Sequence, residues 1–207
     1  MEEKQLTEKE SLEVITSMIA RTKERYVGNG KILLMWGYLV VTVAILNWVL
    51  VVSTGNRAWH WLWFAIPLIG YPTTLIMSRE QERERGVITY SDKITSKLWT
   101  LVGISEFVAI LLCFAIQLAF AKNCWFAMMV YSILILPIAV IIQGSIIKER
   151  SFVVGGSTGL TIGLFMLCCA IGRVAISGDL LILLFILAIV AMMIIPGHTL
   201  NYKAIHQ

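Results

Sequence analysis

Charge is scarce in this chain. Only 14% of its 207 residues are Asp, Glu, Lys or Arg, while 58% are hydrophobic and the mean hydropathy is +0.80. A soluble domain carries about 25% charged residues. The shortfall excludes a soluble globular domain, a disordered tail and a nucleic-acid binder. Cysteine is sparse as well, with four residues and no C-x-x-C pair. That excludes a disulfide-stapled secreted module and argues against a membrane thiol oxidoreductase. Histidine occurs three times, at His60, His198 and His206. All three are expected in loops or the tail, at spacings that fit no metal site. No metal, cofactor or catalytic residue set is therefore expected.

What the chain has in abundance is long apolar runs. A helix needs about 20 mainly apolar residues to cross a bilayer. Six stretches meet or approach that length: Ile32–Val52, Trp61–Met77, Leu98–Phe120, Cys124–Ile147, Phe152–Ile171 and Leu180–Ile195. The fold class is thus all-α, a polytopic membrane protein of six transmembrane helices in three hairpins. The second and sixth runs are short, and the four prolines fall in or beside the even-numbered runs. The residues before the first run mix six acids with six bases, unlike the short basic stretch of a cleaved signal peptide. The chain divides into an amphipathic segment 1–30, a membrane domain 31–197 and a tail 198–207.

Basic residues set the orientation. Of the 17 Lys and Arg, 14 fall in the N-terminal segment, the 78–97 loop, the 148–151 loop and the tail, leaving Arg57, Lys122 and Arg173 on the other side. Both termini are expected in the cytoplasm. Trp48, Trp59, Trp61, Trp63 and Trp125 then gather at the outer face as an aromatic belt.

Residues 7–27 read as an amphipathic cytoplasmic helix. Thr7 and Glu10 form a capping box, and Leu12, Ile15, Met18, Ile19 and Tyr26 make an apolar stripe. That stripe suits the membrane surface, the protein's own loops or a partner helix. The run Arg79 to Arg85 alternates charge and reads as a solvated extension of span two, stopped at Gly86.

Glu106 is the one ionisable residue well inside a span, which makes it a site candidate by default. Counted from Leu98 it lies about 12 Å deep on the cytoplasmic side. Thr42, Tyr71, Thr73, Gln143, Ser157, Thr158 and Thr161 have similar expected depths. Convergence of these residues would create a polar pocket for a proton, ion or small solute. The plainer alternative is a carboxyl group that ties helices together.

Gly155, Gly159 and Gly163 recur at i+4 on one helix face and invite close packing. The neighbour is either another helix of this chain or a second copy in a homodimer. The letters Gly155-Gly156-Ser157-Thr158-Gly159 also fit G-x-S-x-G, yet a nucleophile elbow needs a strand-to-helix turn, and here an apolar helix runs through it.

The opening Glu10-Ser11-Leu12, the span-one start Leu33-Leu34-Met35-Trp36-Gly37 and the ending Ile195-Pro196-Gly197-His198 carry a family likeness. On these residues the chain resembles an uncharacterised family of small six-span bacterial inner-membrane proteins. The resemblance implies an inner-membrane location and transfers no activity. The functional expectation is a non-enzymatic accessory or regulatory protein that contacts lipid or a cytoplasmic partner through residues 7–27. Transport through Glu106 is the alternative, and a membrane-embedded enzyme the least supported.

Overall fold

The computed structural model describes residues 7, 9, 12–14, 16–17, 30–85 and 90–205. Its elements are helices throughout: α1 (Gly30–Thr54), a 3-10 segment (Arg57–Phe64) leading into α2 (Ala65–Arg85), α3 (Tyr90–Phe120), α4 (Trp125–Ile147) and α5 (Arg150–Ile171). The chain then forms one rod: α6 (Gly178–Ile189), a π-helical turn (Val190–Ile194) and α7 (Ile195–Ile205). Six helices are long and apolar enough to span a membrane. Of the expected N-terminal helix over 7–27, residues 8, 10, 11, 15 and 18–27 fall outside the described residues, as do Gly86 and His206. Residues 12–14, 16 and 17 are helical and exposed.

Polar side chains fix several helix starts. Asn56 accepts from the Ala58 amide at 2.9 Å, Asn123 from the Trp125 amide at 3.0 Å and Ser177 from the Leu180 amide at 3.3 Å. Each occupies one amide that the first turn leaves without a helical partner.

Two short spans of the sequence are full-length here. Span two gains the 3-10 segment, which carries it back to Arg57. Span six passes through Pro196 to Ile205, so residues 198–205 continue a helix and His198 lies within it. Proline lacks an amide proton and its ring crowds the preceding turn. The π turn relieves this by widening the helix: Ile195 donates to Val190 O, five residues back.

The core lies where α1, α4, α5 and the rod meet. Ala44, Ile133, Val140, Phe152, Met166, Ala188, Ile189 and Met192 are fully enclosed there. The glycine row makes this possible. Gly155, Gly159 and Gly163 are buried, and their face is taken up within the chain, not by a homodimer seam. Gly155 meets the Ala191 carbonyl and Pro196, Gly159 meets Met192, and Gly163 meets the Ile133 carbonyl.

Those two carbonyls share a feature. Pro137 removes the amide that would bond Ile133 O, and in the π register Pro196 removes the amide that would reach Ala191 O. In both places a glycine hydrogen lies over the oxygen that proline leaves without its helical donor. Prolines free backbone acceptors, and here a neighbouring helix covers them. Pro72 does no comparable job, since it sits exposed on α2 while Pro137 is buried.

Packing is uneven. The most apolar window of α2 is 6% buried and that of α3 11%, against 28–39% for the other four spans. Trp36 is the main tie to α2. Its indole NH donates to the Thr74 hydroxyl at 2.8 Å, its ring lies against Gly70, and it meets Tyr71 edge-on at 5.7 Å. At the opposite end of the bundle, Trp61, Phe64, Phe114 and Trp125 form a ring cluster with centroids 4.9–6.3 Å apart. Trp48 donates to Asp179 at 2.7 Å. The five tryptophans thus share one end of the bundle.

Candidate functional site

Glu106 lies on the face of α3 that packs on α4. Its Oε2 accepts from the Ser132 hydroxyl at 2.8 Å. Its Oε1 is buried and has no hydrogen-bond partner. Tyr71 reaches across from α2 and donates to Gly103 O at 3.2 Å, one turn before Glu106. Three helices thus meet at this level.

Ser132 has a second acceptor, its own helix's Met128 O at 3.0 Å. One hydroxyl proton serves one acceptor at a time. With Glu106 ionised, Ser132 donates to the carboxylate. With Glu106 protonated, the acid can donate to Ser132 while Ser132 turns to Met128 O. The pair accommodates both charge states without moving the backbone.

Ser132 is the eighth of the 23 residues of α4, counted from the tryptophan end. Along α3, Glu106 is close to the middle, 16 residues after Tyr90 and 14 before Phe120.

The eight predicted pocket residues do not converge. Gln143 is buried three turns away, where it accepts from Trp99 at 2.9 Å. Thr73 bonds back to Ile69 O, Thr158 to Val154 O and Thr161 to Ser157 O, each within its own helix. Thr42, Ser157, Thr158 and Thr161 are exposed, on faces turned from the core. A threonine bonded to its own helix needs no polar neighbour. Only Glu106 and Tyr71 share a locality.

Two structural partners escaped sequence reasoning. Ser132 is one, and its signal was a lone hydroxyl in span four at the level of the carboxylate. Asn47 is the other. It is fully buried in α1, donates to Trp59 O at 2.7 Å and lies 3.3 Å from His60 Nδ1 through its oxygen. It fastens the 3-10 segment to the bundle.

His198 is placed opposite α1, with its Nε2 2.6 Å from the Tyr38 hydroxyl. Among the described residues no group of His, Cys, Asp and Glu is arranged to hold a metal ion. Comparison with known protein families, with curated proteins and with solved structures finds no match. The functional reading rests on this geometry.

Proposed function

We propose that this is a non-enzymatic accessory or regulatory protein of a bacterial inner membrane, with both termini in the cytoplasm. Its helices α2 and α3 are the part that a membrane partner engages. The observation carrying this reading is the contrast in packing. Four spans form a tight unit, while α2 and α3 hang from it with 6% and 11% burial. They present Leu68, Leu75, Ile76, Leu101, Phe107 and Leu111 outward. Interfaces between helices in lipid depend on close side-chain packing, and these two helices have little of it within the chain. Residues 7–27 supply a second contact, to lipid or to a cytoplasmic partner. The 14-to-3 split of basic residues supports the orientation.

Photo-crosslinking residues at Ile76 and Leu111 test the reading in intact cells, with Val154 and Leu187 as exposed controls on the tight unit. Discrete protein adducts from Ile76 and Leu111 alone are expected. Lipid adducts of equal yield at all four positions would refute it. A chain lacking residues 1–28 that keeps the same adducts would remove the N-terminal segment from the contact.

A second reading, small-solute or ion transport coupled to Glu106, draws on the Ser132 arrangement. A carboxyl group that can be held charged or neutral suits proton exchange. Glu106→Gln is then expected to abolish flux that the wild-type protein supports in vesicles. Unchanged flux of protons and of every tested solute would refute it.

A further inference from the structure

The chain turns back between α5 and α6 at the tryptophan-rich end, and a cavity of 290 Å³ lies at that turn. Phe126 of α4, Met166 of α5 and Leu181 of α6 form its apolar walls, and Arg173 lines it from the turn. The Arg173 guanidinium has no hydrogen-bond or ion-pair partner among the described residues. The next acid along the chain, Asp179, is engaged by Trp48. The cavity therefore offers apolar surface on one side and one uncompensated positive charge on the other.

The position of that charge is costly to the backbone. Arg173 adopts φ 54°, in the left-handed region. The turn closes with Val174 N–H donating to Cys169 O at 2.9 Å and Gly172 N–H to Cys168 O at 2.8 Å. Glycine is the usual residue at such a helix exit. Ala121 and Lys148 leave their helices in the same left-handed region, at φ 52° and 58°.

We propose that this cavity binds an anionic phospholipid from the leaflet at the tryptophan-rich end. The phosphate lies against the Arg173 guanidinium, whose planar fork matches two phosphate oxygens. The first part of an acyl chain enters between Phe126, Met166 and Leu181. Charge complementarity selects the head. Lys122 and Arg57 share this end of the molecule and do not line the cavity.

The test uses the full chain, delipidated in dodecyl maltoside, with thermal unfolding followed by circular dichroism. Added phosphatidylglycerol is expected to raise the midpoint above that with phosphatidylcholine by on the order of 2–4 °C. Arg173→Gly suits the left-handed turn, so its lipid-free midpoint is expected to stay level or rise while the phosphatidylglycerol increment disappears. Ala170→Trp, which fills the cavity and keeps the charge, is expected to lose the increment too. Lys122→Gln is expected to keep it. An Arg173→Gly protein with the full increment would overturn the proposal. So would equal losses in Arg173→Gly and Lys122→Gln, which would indicate surface charge alone. The same increment from lauric acid would make the ligand a free fatty acid, and from inorganic phosphate a bare anion, and either would overturn the assignment.

Discussion

Adding one methyl group at Gly163 tests how the bundle is held together. An alanine Cβ there would stand 2.5 Å from Ile133 O and 3.1 Å from its carbonyl carbon. Both are backbone atoms, so neither can rotate away. Helices α4 and α5 must part by roughly 0.5–1 Å, and a gap of that size forfeits a quarter to a half of each dispersion contact it opens. Overpacking of this kind costs about 1–3 kcal/mol. Alanine returns up to ~1 kcal/mol through helix propensity. A net loss of about 2 kcal/mol corresponds to a midpoint lower by roughly 4–8 °C. Gly155→Ala meets the Ala191 carbonyl and is expected to lose as much. The two sites are eight residues apart, about 12 Å along the helix, so the double substitution should be close to additive. Gly178 has open space where its Cβ would be, which makes Gly178→Ala the neutral control. Unfolding in mixed micelles, read by circular dichroism, gives the comparison. If Gly155→Ala and Gly163→Ala stay within 0.5 kcal/mol of wild type, the close-packing argument fails. A change in self-association with no change in unfolding would restore the homodimer seam.

Further substitutions address single contacts. Asn47→Ala removes the donor to Trp59 O and the oxygen facing His60. A loss of about 1–3 kcal/mol with faster amide exchange across residues 57–60 is expected, and unchanged exchange would count against the anchoring role. Trp36→Phe keeps an aromatic ring but loses the Thr74 bond. Interhelical bonds of this type average about 0.6 kcal/mol, so proteolysis of α2 should quicken while global unfolding barely moves. Lys203→Ala breaks the exposed ion pair to Glu149 at 2.7 Å. A change below about 1 kcal/mol that fades with added salt is expected, and a salt-independent loss would contradict it.

The sequence was most informative where the physics is local or one-dimensional. The apolar run lengths alone required six helices, because an unpaired backbone in hydrocarbon is prohibitively costly. The i+4 recurrence of Gly155, Gly159 and Gly163 required a close neighbour on that face. The tryptophan positions picked out one end of the bundle. Glu106 stood out because an ionisable group in a membrane helix is expensive.

Relations between helices were not legible, since depth and rotation depend on where each helix begins and which face its neighbour takes. The packing of α3 on α4 set Glu106 against Ser132 and left Gln143 to Trp99. Thr158 and Thr161 looked like pocket residues by depth, but their helix turned its glycine face inward and carried them out. Only the tertiary structure set Gly163 over the oxygen freed by Pro137 and Gly155 over the one freed by Pro196. No pattern within one span encodes that match, because it is a fit between two backbones brought together by the fold.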